Sequence, residues 1–273
     1  MTSVIKNGET MKTINSVKIS ASSRVGGRSE NQDDFLIDTE KISDQSREFC
    51  YKGTSESTKQ QIYIVCDGMG GEQYGQDASR KAVEYFEGLL REAKRPFTPM
   101  DIAGEIRRLN QEIVDYYRCR QARGGTTIAL VMLNPDGTIE AFNIGDSPIF
   151  LVRNGEITML SEEQSMAGIK LKKGTISREE YRESRERNLL LGYLGDDSGV
   201  SVDHLFYSRN KYQAGDKLLL SSDGLLDKIE PEEILGLLQQ DCGADVLTEE
   251  AVKKGAGDNA VSYTHLTLPT TER

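Results

Sequence analysis

Three apolar runs in this chain stop at an aspartate beside a glycine. QIYIVC ends at Asp67-Gly68, LLLSS ends at Asp223-Gly224, and TIEAFNI runs into Gly145-Asp146. A fourth pair, Gly257-Asp258, follows an amphipathic stretch. Runs of this length and make-up read as buried strands. A carboxylate at the end of a buried strand needs water, a partner or a cation, because burying it alone is costly. Glycine beside it lets the backbone and its carbonyl approach a ligand closely. Hard divalent cations take carboxylate and carbonyl oxygens, with water completing the shell. Asp-Gly is also a common turn pair. Asp136-Gly137, within Asn134-Pro135-Asp136-Gly137, fits a hairpin turn and nothing else. What sets the other four apart is their recurrence, together with an acidic-polar cluster at Arg28-Ser-Glu-Asn31-Gln32-Asp33-Asp34.

The surrounding pattern predicts a single α+β domain. Strands are expected at 17–23, 34–38 and 61–66, with a polar loop over 43–60. Two helices follow, at 74–93 and from an Asp101 N-cap to about residue 117, each with apolar residues at i, i+3/i+4 spacing. Strands return at 126–133 and 138–144, and at 147–153 and 156–160 around the Asn154-Gly155 hairpin signal. A polar insertion of 161–197 holds one short helix at 177–186; strands at 201–208 and 216–221 and helices at 231–240 and 244–254 complete the series. Strands, helices and strands again argue for antiparallel sheets, not alternating βαβ units.

Composition narrows the chemistry. The 273 residues carry a net charge of −10, a poor match to nucleic acid or an anionic membrane. No apolar stretch is long enough to span a bilayer, and the first fifteen residues lack the apolar run of a secretory signal. Four scattered cysteines without a CxxC pair suit reduced thiols in the cytoplasm. With two histidines, His204 and His265, imidazole metal clusters are excluded and carboxylate chemistry is left. No phosphate-binding GxxxxGK[ST] loop and no EF-hand spacing occurs.

Taken in order, the motifs resemble those of the metal-dependent (type 2C) serine/threonine protein phosphatases in their bacterial form. Arg28-x-x-Asn31-Gln32-Asp33, Asp67-Gly-Met-Gly-Gly71 with Gly75-x-x-Ala78-Ser79, Gly125-Thr126-Thr127, Gly145-Asp146-Ser147, Ser222-Asp223-Gly224-Leu225 and Gly257-Asp258-Asn259 follow the family's sequence of landmarks. The resemblance implies two packed antiparallel sheets flanked by helix pairs, a four-layer α-β-β-α sandwich, over 16–260. A small flap subdomain of 161–197 would lie beside the cleft, in a stretch often variable and mobile. It implies two Mn²⁺ or Mg²⁺ ions, with a possible third. Asp67 would bridge the pair, the Gly68 carbonyl would bind one ion, and Asp223 and Asp258 the other. Asp33 would act directly or through water, Asp146 would hold the third ion, and Arg28 would clamp the substrate phosphate. The implied activity is hydrolysis of phosphoserine and phosphothreonine in proteins by a metal-activated water. The substrates would be phosphoproteins of a serine/threonine kinase, and the enzyme a cytoplasmic monomer free of nucleic acid and membrane. A catalytically dead binding module, or a phosphatase of a small phosphoester, is the alternative. Gln32 stands where some relatives carry glutamate.

The string from Val261 to Arg273 is polar, threonine-rich and interrupted by Pro269, a poor inner strand. It resembles one reading frame of a transposon sequencing adapter, so 261–273 is expected to be a non-native tail and His265 to have no role.

Overall fold

The computed structural model of the chain describes residues 16–38, 40–41, 48–56, 58–70, 72–240 and 242–263. Strands β1 (Ser16–Arg24), β2 (Asp33–Ile37), β3 (Glu40–Lys41), β4 (Glu48–Glu56) and β5 (Gln61–Met69) come first, then helices α1 (Glu72–Glu92) and α2 (Pro99–Arg120). Next are β6 (Gly125–Thr126), β7 (Ile128–Leu133), β8 (Thr138–Ile144), β9 (Ile149–Arg153) and β10 (Glu156–Met159). Short helices α3 (Met166–Lys172) and α4 (Arg178–Glu183) precede β11 (Phe206–Lys211) and β12 (Lys217–Ser221). The series closes with α5 (Asp223–Leu226), α6 (Pro231–Gln239), α7 (Ala244–Lys253) and β13 (Ala260–Tyr263). One sheet has the order β10-β9-β12-β13-β1-β4 and the other β11-β8-β7-β5-β2-β3, with β6 added beside β5. Every pairing is antiparallel.

Both faces of the central strands are covered, which is why they read as apolar runs without alternation. Along β5, Tyr63 and Val65 enter the core between the sheets, where they join Phe35 and Ile37 of β2 and Leu218 and Leu220 of β12. Ile62, Ile64 and Cys66 point the other way, onto α1 and α2. In β9, Ile149 and Leu151 face inward, while Phe150 and Val152 pack with Leu219 against α6 and α7. The result is the expected four-layer sandwich, with three apolar seams.

Several local expectations are corrected. The helix after residue 97 starts one turn earlier than an Asp101 N-cap would place it. Thr98 is the N-cap, Pro99 follows, and Asp101 closes a capping box: its amide donates to Thr98 Oγ1 at 3.2 Å, and its Oδ2 accepts from the Thr98 amide at 2.7 Å. The stretch 48–56, expected as loop, forms β4, paired with β1 along its whole length; an edge strand needs little apolar patterning. Residues 201–204 form a 3₁₀ turn, so His204 is on a turn and not on a strand. The insertion 161–197 holds a second short helix, α3, and a 3₁₀ turn at Arg185–Asn188. After Asn259 the chain does make an inner strand, since β13 lies between β1 and β12. The strand is four residues long and pairs with both neighbours; Pro269 lies outside the described residues.

Phe86 of α1 is fully buried against the β5 sheet. Phe86→Ala is expected to cost about 3–5 kcal/mol in urea-unfolding free energy. Met100→Ala, at a position 85% exposed, should leave the midpoint unchanged.

Candidate active site

The period of the strands brings the acids together. Side chains alternate across a strand, so Asp67 lies on the face of β5 that carries Tyr63 and Val65. In β2, Asp33 lies on the face of Phe35 and Ile37, and the register sets Asp33 opposite Asp67. The core between the sheets thus ends in a pair of carboxylates. Asp223 is the first residue of α5, separated from the end of β12 by Ser222 alone. Asp146 lies in the turn between β8 and β9, and Asp258 just ahead of β13. Asp67, Gly68, Asp146, Asp223, Asp258 and Arg28 all line one cleft of about 460 Å³. Asp33 lies beneath it, 3% exposed, with its Oδ2 lacking any hydrogen-bond partner. The candidate metal-holding residues and Arg28 therefore meet in one place. His204 does not line the cleft, and Asp136-Gly137 is the turn it was taken for, with Gly137 at φ +80°.

Residues less legible in the sequence hold this arrangement in place. The buried Asn259 amide donates to the carbonyls of Val25 and Glu30, both at 2.9 Å, and its Oδ1 accepts from the Gln32 amide at 2.9 Å. It clasps the Arg28 loop to the Asp258 segment. The Ser79 hydroxyl donates to the Gln32 carbonyl at 2.6 Å. Thr127 Oγ1 accepts from the Asp67 amide at 3.0 Å and shares a 2.6 Å hydrogen bond with the Ser147 hydroxyl. The Thr126 hydroxyl and the Thr127 amide both donate to the Asp67 carbonyl, at 3.0 and 2.9 Å. The Gly-Thr-Thr string is a weak signal alone; its value lies in how these groups fix Asp67. Two glycines are required by contact distance. A Cβ on Gly68 would lie 2.2 Å from the Gly75 carbonyl oxygen, and one on Gly224 would lie 2.0 Å from that of Asn259.

The flap is tied to the same floor. Thr126 and Leu194 exchange backbone hydrogen bonds at 3.0 and 2.8 Å, and within the flap Ser165 bridges to Leu190. Arg187 of the flap pairs with Asp227 just past α5. Asn188 and Leu190 thereby become cleft walls, which no motif in the sequence marks.

Electrostatically the cleft is a cluster of acids, most of them buried. Burial first, then the charges of Asp33, Asp223 and Asp146, holds the Asp67 carboxyl well above the usual range. Burial, then Asp223 and Glu163, does the same to Asp146. Burial pushes Asp33 up to about 8, with the charges of Asp258 and Asp223 adding to it. Asp223 is pushed up to about 7 by burial and by Asp227 and Asp258. Like charges this close cannot all ionise unless a cation joins them. Asp258 meets one inside the protein: Arg28 forks onto it, with Nε to Oδ1 at 2.9 Å and a terminal nitrogen to Oδ2 at 2.6 Å. Among the described residues no three carboxylates, thiols or imidazoles close on one point as a ready-made cage. An ion such as Mg²⁺ keeps several waters and needs only one or two carboxylates. All-oxygen donors, the orphaned Asp33 oxygen and the raised carboxyls fit divalent cations.

A sequence profile of the protein phosphatase 2C family matches residues 49–253. The chain is a member of that family. It is 32% identical over 211 residues to the serine/threonine phosphatase Stp of Listeria welshimeri, covering 73% of this chain and 82% of the relative. The Mycobacterium tuberculosis serine/threonine phosphatase PstP/Ppp superimposes with a TM-score of 0.73 at 25% identity, covering 92% of this chain and 99% of that one. A PstP catalytic domain in complex with two manganese ions superimposes with a TM-score of 0.72 at 25% identity, covering 91% and 97%. The chain is a protein serine/threonine phosphatase of a metal-dependent family. Among the described residues no helix is long and apolar enough to cross a membrane.

The Arg28–Asp258 pair makes Arg28 a competitor of any cation at Asp258. Arg28→Ala is expected to tighten Mn²⁺ binding about two- to fivefold by calorimetry, the scale of a partly exposed ion pair. Weaker binding would show that Arg28 holds Asp258 in place instead.

The raised carboxyls also set the pH response of the metal-free protein. An acid whose pKa rises on folding keeps its proton in the folded state where the unfolded chain has lost it. Its contribution is intact below the unfolded value of 3.8 and is lost as pH climbs through about 7 for Asp223 and about 8 for Asp33. In EDTA the melting temperature should therefore fall between about pH 5 and pH 8. Mn²⁺ should raise it most at the upper end. A flat profile in EDTA would contradict the assignment.

Proposed function

We propose that the carboxylate cleft hydrolyses phosphoserine and phosphothreonine side chains of other proteins, with Mn²⁺ or Mg²⁺ held by its aspartates. The observation that carries this reading is the convergence of Asp67, Asp146, Asp223 and Asp258, from four separate segments of the chain, on one cleft with Arg28. Asp67 and the Gly68 carbonyl, with Asp223, Asp258 and Asp33 (directly or through water), would hold two ions. Asp146 would help to hold a third. The two manganese ions of the PstP complex support this count. Bound ions supply the Lewis acidity that phosphate-monoester hydrolysis, among the slowest of uncatalysed reactions, requires.

The chain's own groups do the rest. Arg28 is 55% exposed in its side chain, so its fork can turn from Asp258 to a phosphoryl group. A planar guanidinium matches two phosphoryl oxygens at once, which a lysine could not. The clasp of Asn259 on the Arg28 loop orients that fork before substrate arrives. Thr126 and Thr127 keep the Asp67 backbone fixed, so its carboxylate need not reorganise during the reaction.

Phosphoproteins made by a serine/threonine kinase are the proposed substrates, and the enzyme is proposed to act as a monomer in the cytoplasm. Four free thiols support a reducing compartment. The acidic surface argues against a nucleic-acid partner. The catalytic unit is proposed to be 16–260 with the flap at 161–197, the string from 261 being a non-native tail. A dead binding module is not favoured, since Asp67, Asp223 and Asp258 are all present.

Asp67→Asn and Asp223→Asn should each lower kcat on a phosphothreonine peptide by about 10²-fold or more, with unchanged circular dichroism. Asp146→Ala should lower it less and leave the tighter Mn²⁺ binding in place. Near-wild-type turnover in Asp67→Asn would overturn the assignment of the cleft.

A further inference from the structure

A second hollow, of about 680 Å³, adjoins the acidic cleft. The two share Met69, Gly70, Asn188 and Leu190, so a chain bound at the carboxylates has an open path into it. Its chemistry differs from that of the cleft. Arg118, at the end of α2, and Arg123, just beyond it, line the hollow, with the rings of Tyr117 and Tyr193 as apolar walls. Asp197, on the flap side, is the one acid among its lining residues. Arg118 pairs with the exposed carboxylate of Asp115 at 3.2 Å. Arg123 is exposed and makes no hydrogen bond or ion pair among the described residues.

The placement of these arginines reverses the local charge. The protein carries a net −10, and its cleft is lined by four aspartates. Such a surface repels acidic peptides at long range. One exit from the cleft is nevertheless bordered by two guanidinium groups, that of Arg123 without a hydrogen bond or ion pair among the described residues. An extended peptide advances about 3.3–3.6 Å per residue. A side chain two to four positions from a phosphorylated residue in the cleft therefore lies about 7–14 Å away, within reach of an adjoining hollow.

We infer that this hollow seats the segment flanking the phosphorylated residue, and that Arg118 and Arg123 select flanks carrying a carboxylate. The inference rests on the phosphatase reading of the cleft. Tyr117 and Tyr193 offer flat apolar walls for the stem of such a side chain, while the guanidinium groups meet its charge. Asp197 disfavours flanks that place their carboxylate on the flap side.

The test compares phosphothreonine peptides that differ only in one Glu or Gln, two to four positions before or after the phosphothreonine. Wild-type enzyme should prefer the Glu peptide on one side about two- to fivefold in kcat/KM at low salt, as an exposed ion pair allows. The preference should shrink in 0.5 M salt. It should vanish in the Arg118→Gln/Arg123→Gln double variant and reverse in Arg123→Glu, while turnover of p-nitrophenyl phosphate stays unchanged. Equal rates on Glu and Gln peptides in the wild type would overturn the inference. So would a preference that survives in the double variant. A parallel loss of p-nitrophenyl phosphate turnover would also overturn it, by placing the arginines in the reaction itself. Failure of wild-type enzyme on every phosphopeptide would instead remove the phosphatase reading beneath it.

Discussion

The mutual repulsion of carboxylates at the end of a hydrocarbon core governs this structure. Between the sheets, Tyr63, Val65, Phe35 and Ile37 pack against Leu218 and Leu220. One further step along β5 and β2 puts Asp67 and Asp33 opposite one another. Neither residue could stay there in an ordinary core. Everything around them manages that cost. Thr126 and Thr127 absorb the backbone polarity of Asp67, Asn259 ties down the loop that carries Arg28, and Arg28 lends its charge to Asp258. The hydrophobic layers thereby supply a rigid frame for a site whose own electrostatics are unfavourable. A protein that places its acids so poorly for stability is organised around the cation that relieves them.

Rigidity is unevenly distributed around the cleft. Its floor is built from β5, β2 and β6, with carbonyls and amides paired at short range. Its walls come from the flap, which contacts the floor through Leu194 on Thr126 and through Arg187 on Asp227. One short strand, β6, thus bears on both the Asp67 carbonyl and the flap. Floor and wall meet at Thr126, which hydrogen-bonds both the Asp67 carbonyl and Leu194.

The sheets were legible because both faces of their inner strands are buried: QIYIVC, TIALVML and LLLS can be little else. The acids were legible because glycine beside a strand-terminal aspartate is an uncommon place for a charge, and several recur. The losses have physical causes as well. β4 is an edge strand whose FCYKGTSE carries no clear period, and its pairing with β1 is a matter of partners, not of its own residues. Asp101 looked like an N-cap because aspartate serves both as cap and as the third residue of a capping box. Asn188 and Leu190 enter the cleft through the fold of the flap. Asn259 was visible only as the neighbour of Asp258. Its three hydrogen bonds bind segments more than two hundred residues apart, and no local pattern records such a contact.

That clasp has a consequence for how the enzyme comes into being. Arg28, Asn31 and Asp33 precede Asn259 by more than two hundred residues, and Asn259 joins their loop to the Asp258 segment by accepting and donating hydrogen bonds. The strand that separates β1 from β12 follows Asn259 directly. A chain cut anywhere before Asp258 lacks an acid of the cleft and the clasp on the arginine loop together. Partial products of synthesis or proteolysis that stop short of Asp258 therefore lack both at once.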